Sequence, residues 1–330
     1  MRSPPTAVLG AGAWGTALAN AAASRGRRVL LWGRDRAAMA DIASSRENTR
    51  YLPGVPLLAD VAPTGDTAAL GAAETVLAAI PAQALRAVLT ELAPALRRHA
   101  AIVVCAKGIE RTTGKFVCDI AADILPENPV AVLSGPSFAA DVARGLPTAV
   151  TLACADDALA RRLSEDLASA NLRIYSTTDV RGVEIGGAAK NVLAIACGIA
   201  AGAQLGASAG AALVARGFAE LTRFGRALGA RPETLMGLSG LGDLVLTCNT
   251  PQSRNFALGH SLGEGETAAA ILALGKLAEG AGTAQILVEL ARRHSIDVPI
   301  CAGVADILAG KASVTETITQ LLARPQRRET

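Results

Sequence analysis

The sequence predicts an α/β chain of two domains, a mostly parallel sheet wrapped by helices followed by an all-α half. Three observations carry that prediction. Short apolar strands alternate with helical stretches through the first half. A glycine turn, GAGAWG at residues 10–15, stands between the first strand and the first helix. After Tyr175 the strand pattern stops, and helical periodicity takes over from Val183. At 330 residues the chain is too long for one ordinary core. We set the boundary near residue 180, with a first domain over 1–180 and a second over 181–330.

Residues 6–10, TAVLG, read as a short buried strand. The helix after it, Trp14 to Arg25, stops at Gly26, a residue suited to a left-handed terminus. RRVLLW, residues 27–32, is the second strand. Strand, glycine turn, helix and strand in this order are the context of a Rossmann-type dinucleotide site. Gly10 allows the tight turn, Gly12 lets a pyrophosphate approach the backbone, and Gly15 lets the helix sit close to the sheet. The free amides of the helix N-terminus then face the phosphates. An NAD-preferring site ends its second strand with an acid for the ribose hydroxyls. Here that place is Gly33, followed by Arg34, Asp35 and Arg36. An arginine there accepts the 2′-phosphate of NADP, so NADP(H) is the expected cofactor. Asp35, free to turn inward, leaves use of NAD(H) open as well.

Glu74 to Ile80, Ala101 to Cys105, Val130 to Ser134, Thr148 to Ala153 and Leu172 to Tyr175 continue the strand series. In such sheets ligands lie beyond the carboxyl ends of the strands. Pro81, Lys107, Gly135 and Ser137 each follow a strand and are expected to converge. A lysine after a strand is equally ordinary surface chemistry, so Lys107 alone decides nothing.

The second half opens on EIGGAAKN, residues 184–191, where Lys190 heads a stretch with no further charge until Arg216. A buried amine is costly unless paired. Glu184, close to two turns earlier, is the local candidate partner; the alternative is a lysine that snorkels to water. The uncharged run 191–215 is long enough to span a bilayer, and Gly198, Gly202, Gly206 and Gly210 recur every four residues. It is mostly Ala and Gly, holds Gln204 and Ser208, and lacks aromatic or basic anchors. A packed interior helix broken near Gly202–Gly210 is expected, without membrane insertion. Further breaks are expected near Gly237–Gly242, Gly259–Gly265 and Gly280–Gly282. Between residues 237 and 255, Asp243 stands among glycines, and Ser253, Arg254 and Asn255 form a compact polar cluster. Arg254 can offer a bidentate guanidinium to a phosphate, with Ser253 and Asn255 adding donors.

Composition excludes several classes. A net charge of +3 makes no case for nucleic acid, and the basic stretch Arg324 to Arg328 is a solvated end. Cysteines 105, 118, 154, 197, 248 and 301 show neither metal nor redox spacing, which suits apolar fillers in a reducing, cytoplasmic compartment. His99, His260 and His294 form no ligand pattern, so no metal site is expected. Ala7 to Leu9 is too short an apolar stretch for a signal peptide.

Seven motifs in order then carry a resemblance: GAGAWGTALA (10–19), NTRYLPG (48–54), KGIE (107–110), LSGPSFA (133–139), EIGGAAKNVLAIACGI (184–199), RGFAEL (216–221), and LSGLGDLVLTC through SRN (238–255). Together they resemble the NAD(P)-dependent glycerol-3-phosphate dehydrogenases of the bacterial type. The resemblance implies reduction of dihydroxyacetone phosphate, a phosphorylated triose, to sn-glycerol 3-phosphate for phospholipid synthesis, with Lys190 as catalytic acid/base. It implies substrate contacts at Lys107, Gly135, Ser137, Lys190, Asp243, Ser253, Arg254 and Asn255. It also implies cofactor contacts at Ala13, Trp14, Arg34, Lys107, Ala139, Arg254, Leu277 and Glu279. Members are often homodimers.

The chemistry agrees with that implication. Hydride transfer to a ketone builds an alkoxide that needs a proton, and no histidine lies in any motif, which leaves Lys190 as the best acid. Its charge would stabilise the developing oxyanion. Work near neutral pH requires its pKa to fall, through burial or a nearby Lys107, and Asp243 could position the ammonium. Three positions depart from the family pattern: Ser208 for the usual asparagine, Ala215 for threonine and Asp141 for glutamate. Relatives of the same architecture that act on β-hydroxyacids or ketopantoate also place a lysine here, but a phosphate-free acid needs no SRN cluster. A nucleotide-sensing regulator without catalysis would be expected to lose Lys190 or Asp243, and both are present.

Overall fold

Eight strands form one sheet at the N-terminal side of the computed structural model, which describes residues 5–273 and 278–325. They are β1 (Thr6–Leu9), β2 (Val29–Trp32), β3 (Val61–Thr64), β4 (Thr75–Ala78), β5 (Ala101–Val104), β6 (Val130–Ser134), β7 (Thr148–Cys154) and β8 (Leu172–Thr177). Their spatial order is β3-β2-β1-β4-β5-β6-β7-β8. The first six run parallel; β7 is antiparallel to β6, and β8 parallels β7. β3 escaped the sequence reading because VAPT carries Pro63, and an edge strand is where a sheet tolerates the missing donor.

Six helices flank the sheet: α1 (Ala13–Ala23), α2 (Arg36–Ser45), α3 (Ala82–Leu92), α4 (Val117–Ile124), α5 (Ala139–Ala143) and α6 (Asp157–Leu167). Strand side chains alternate between two apolar layers. Val8, Leu31, Leu77 and Val103 pack with Leu18 of α1 and Leu163 of α6. Leu9, Leu30, Val76 and Ile102 pack with Leu85 and Leu89 of α3 and Ile120 of α4. With both faces covered, β1, β2 and β5 are buried along their whole length.

The helical half comprises α7 (Val180–Gly202), α8 (Ala207–Ala227), α9 (Pro232–Met236), α10 (Asp243–Cys248), α11 (Arg254–Gly263), α12 (Ala268–Ala273), α13 (Glu279–Arg293), α14 (Pro299–Leu308) and α15 (Val314–Leu322). A short π-helical segment, Leu238–Gly242, leads into α10. α7 is its axis, buried from Gly182 through Ala200. It is long and apolar enough to cross a bilayer, but 89% of its apolar window is buried inside the fold.

α7 meets α11 backbone to backbone. A Cβ on Gly198 would lie 2.1 Å from the Phe256 carbonyl oxygen, and one on Gly202 would lie 2.1 Å from that of His260. From the other side, Cβ atoms on Gly259 and Gly263 would lie 2.1 and 2.3 Å from the carbonyls of Ile195 and Ile199. The small-residue spacing is therefore an internal helix contact, and it uses only the first half of the series. Gly206 turns the chain between α7 and α8 with φ 88°, and Gly210 faces open space. The break expected near Gly259–Gly265 falls at the far end of that range, where α11 stops at Gly263 and Gly265 holds φ 99°; the one expected near Gly280–Gly282 moves, since both glycines lie inside the first turn of α13. Gly198→Ala is expected to lower stability by roughly 1–3 kcal/mol through overpacking. Gly210→Ala, with room for its methyl, is expected to be neutral or to stabilise by up to about 1 kcal/mol. Urea denaturation of the two variants checks the contrast.

Candidate active site

The glycine turn has the shape a pyrophosphate requires. Gly10 is held at φ 103°, and a Cβ there would lie 2.6 Å from the Ala79 carbonyl oxygen. A Cβ on Gly15 would sit 1.8 Å from the Gly10 oxygen, so α1 packs as close to the turn as the backbone allows. Among the described residues nothing lies within 4 Å of the Gly12 Cβ position, and no side chain caps α1 there. The cradle is thus open on the side where phosphates would approach, beside half-buried Ala13 and Trp14. Arg34 lies exposed just past β2. Asp35 does not turn inward; its carboxylate accepts the Ala38 amide at 3.0 Å as the N-cap of α2. A Cβ on Gly33 would lie 2.5 Å from the Met39 sulfur, which leaves little space for an acidic side chain.

The carboxyl ends of β5 and β6 bring Lys107, Gly135 and Ser137 together. Lys107 Nζ donates to the Gly135 carbonyl at 3.0 Å, and Ser137 Oγ donates to the same oxygen at 3.0 Å. Gly135 holds φ 151°, and a Cβ there would lie 2.8 Å from Val150 Cα. Ala139 begins α5 just beyond. Pro81 serves as the N-cap of α3, and the Ala82 methyl lies 3.0 Å from the Cβ position of Gly108.

Lys190 comes to this cluster from the middle of α7, since the helix begins ten residues earlier at Val180. It is buried, 6% exposed, and does not snorkel. Nor does it meet Glu184: six helical residues turn about 600°, so the two side chains point roughly 120° apart. Glu184 instead accepts the Cys118 amide at 2.8 Å and pairs with Arg181 at 3.1 Å, while burial pushes its pKa up to about 7. The partner of Lys190 is Asp243, at 2.6 Å, with Thr247 Oγ1 accepting at 2.7 Å. The other Asp243 oxygen takes Lys107 at 2.7 Å. One buried carboxylate thus bridges two ammoniums.

The electrostatics follow from that geometry. Burial lowers the Lys190 pKa from 10.5 to about 8 against the pull of Asp243, and Lys107 adds to the lowering. Burial alone would raise the Asp243 carboxyl, but Lys107 and Lys190 hold it below its ordinary range. The Glu279 carboxyl, half-buried at the start of α13, has its pKa pushed up by burial, against the pull of Arg254 and both lysines.

The SRN cluster divides its labour. Arg254 is exposed at the first position of α11, available to an anion. Ser253 Oγ caps the helix by accepting the Phe256 amide at 3.2 Å. Asn255 is buried, donating to Asn191 Oδ1 and accepting the Gly280 amide, both at 2.9 Å. It therefore braces α7, α11 and α13 against one another. Leu277 lies outside the described residues. Ser208 and Ala215 are exposed on α8, and Asp141 pairs with Arg144 on the surface of α5.

Comparison with known proteins covers both halves. The family model described as the NAD-dependent glycerol-3-phosphate dehydrogenase N-terminus matches residues 5–160, and the C-terminus model matches residues 179–319. The chain belongs to this family. Among glycerol-3-phosphate dehydrogenases [NAD(P)+], that of Azorhizobium caulinodans is 60% identical over 98% of this chain and 97% of its own length. That of Methylobacterium radiotolerans is 59% identical over 99% and 98%. The crystal structure of glycerol-3-phosphate dehydrogenase from Coxiella burnetii superposes with a TM-score of 0.92 at 38% identity, covering 98% of this chain and 99% of that one. This glycerol-3-phosphate dehydrogenase family member is an NAD(P)-dependent oxidoreductase, with the Rossmann-type sheet and helical half that the sequence predicts.

Two residues of the cluster escaped the sequence reading, Thr247 and Asn191. Thr247 stands four residues after Asp243 in α10, so both side chains share one helix face. That spacing was the available signal. Asn191 follows Lys190 directly, and nothing local marked its bond to Asn255.

Proposed function

We propose that this chain interconverts dihydroxyacetone phosphate and sn-glycerol 3-phosphate with NAD(P)H, with Lys190 as general acid in reduction and general base in oxidation. The observation that carries the reading is the buried Lys190 amine, held 2.6 Å from Asp243 beside a second lysine. When bound, the reduced nicotinamide supplies the hydride. Lys190 supplies the proton: its ammonium stabilises the oxyanion as charge develops on the carbonyl oxygen, then protonates it. Asp243 and Thr247 aim the ammonium, and Asp243 keeps it charged at neutral pH despite burial. Lys107, Gly135 and Ser137 line the strand ends on the substrate side, and Arg254 receives the phosphate from the start of α11, which Ser253 caps and Asn255 braces.

Arg34 exposed past β2, a crowded Gly33 and an Asp35 committed to its helix favour NADP(H) over NAD(H). We read residues 1–180 as the dinucleotide-binding domain and 181–330 as the substrate domain. The six buried, unpaired thiols support a reducing, cytoplasmic setting, with the product destined for phospholipid synthesis and a homodimer as the working form.

The test follows NADPH absorbance with purified protein and dihydroxyacetone phosphate, then repeats it with NADH and with ketopantoate. Oxidation with the triose phosphate alone, faster with NADPH, is the expected result; turnover of ketopantoate instead would overturn the substrate. The pH dependence has a definite sign. Reduction needs the Lys190 ammonium, so kcat/KM for reduction falls as pH rises through about 8. Oxidation needs the free amine, so its kcat/KM rises through the same window. Profiles that run parallel in the two directions would remove Lys190 as the acid/base.

A further inference from the structure

The motif NTRYLPG has no part in the chemistry above, yet it makes a direct contact with the glycine turn. Residues 46–58 form a strap closed at its neck. Glu47 and Pro56 make an isolated bridge, Glu47 Oε1 accepts the Gly54 amide at 2.7 Å, and the Arg46 guanidinium donates to the Val61 carbonyl at 3.0 Å. Leu52 and Val55 pack the strap onto Ala17 of α1 and Val142 of α5. Asn20 of α1 ties down its far end, donating to the Pro56 carbonyl at 3.0 Å and accepting the Leu58 amide at 3.1 Å. From this platform Asn48, 1% exposed, reaches the turn. Its Nδ2 donates to the Ala11 carbonyl at 2.9 Å and to Thr16 Oγ1 at 2.8 Å.

We propose that Asn48 is a positioning residue for the dinucleotide, fixing the direction in which the glycine turn presents its amides. The Ala11 carbonyl and the Gly12 N–H belong to one planar peptide and point in opposite directions. Anchoring the carbonyl on Asn48 therefore aims the Gly12 amide away from the strap, into the open side of the cradle. That amide has no hydrogen-bond partner among the described residues. The constraint is needed because the peptide joins Ala11 to a glycine and Gly10 precedes it, and glycines leave such a unit free to rotate. A rotated peptide would put the Ala11 oxygen, a partial negative charge, where the phosphates approach. The second bond, to Thr16 on the first turn of α1, makes Asn48 span the turn and the helix it feeds.

The inference rests on the reading that the pyrophosphate lies on this turn, and the experiment separates the two. NADPH affinity is measured by fluorescence titration for the wild type, Asn48→Leu, Thr16→Val and Gly12→Asp, alongside kcat and both KM values. Gly12→Asp has room for its side chain and places a carboxylate in the cradle, so it should abolish NADPH binding. If it binds normally, the turn is not the pyrophosphate site. Asn48→Leu keeps the size of the side chain and removes both donors. NADPH affinity should fall about tenfold, on the scale of one or two net hydrogen bonds, while kcat at saturating NADPH and KM for the triose phosphate change less than about twofold. Backbone hydrogen exchange at Gly12 to Trp14, measured without nucleotide, should quicken in this variant while exchange in β1 and β4 stays slow. Loss of NADPH binding in Gly12→Asp with unchanged affinity in Asn48→Leu would overturn the positioning role. Should Asn48→Leu not fold, Thr16→Val decides: it deletes one acceptor, and a weakening of roughly threefold supports the role, whereas wild-type affinity refutes it.

Discussion

Lys190→Ala is expected to abolish turnover by at least about 10²-fold while NADPH affinity stays near that of the wild type. The size follows from what the residue would supply, a proton and a charge at the oxygen that becomes an alkoxide. The split follows from where it sits. Lys190 is on α7 at the Asp243 cluster, whereas the glycine turn belongs to β1 and α1. The truncation also leaves Asp243 paired to Lys107, so the buried carboxylate retains a counter-charge and the fold should survive. Single-turnover kinetics with a fluorescence titration of NADPH make the measurement. Turnover within tenfold of wild type would take Lys190 out of the mechanism.

Asp243→Asn is expected to cost both activity and stability. Its carboxylate is the counter-charge for Lys107 and Lys190, both largely buried. Removing one partner of a buried ion pair costs about 3–5 kcal/mol, and here two cations are left facing one another. The variant answers part of that cost by releasing a proton: without Asp243 the Lys190 pKa falls below about 8. The falling limb of the reduction profile should therefore move to lower pH, with a loss of about 10²-fold at neutral pH. A midpoint in urea shifted downward together with an acid-shifted limb is the expected pair of results. An unmoved limb in a folded variant would mean that Asp243 does not set the charge of Lys190.

Much of this architecture was legible because it is local. Strand, glycine turn and helix follow within the chain from Thr6 to Ala23, and each glycine answers a steric demand that can be stated from sequence. The edge strand Val61–Thr64 was not, since Pro63 contradicts the usual strand pattern and only its position at the rim resolves the conflict. Lys190 stood out as a charge in an apolar run, and the structure bears out Asp243 as the residue that positions its ammonium, although nothing on α7 itself points there. Asp243 lies 53 residues further on, and helical phase excludes the nearer Glu184. The same limit hid the real work of Asn255. In sequence it sits beside Arg254 as a ligand donor, while in space its amide is occupied by Asn191 and Gly280.

The contact between Gly198 and Gly202 of α7 and Gly259 and Gly263 of α11 reaches into specificity. Helices that touch through large side chains can slide by changing rotamers; two backbones in contact have nothing to repack. α7 carries Lys190 and α11 begins at Arg254, so the backbone positions from which the two side chains reach out are held at one separation. With Lys190 and Arg254 in the roles proposed above, a ketone whose phosphate hangs one methylene from the carbonyl would be measured against that separation each time it binds. A longer homologue would meet the same two anchors from the same backbone positions and have to buckle to reach both.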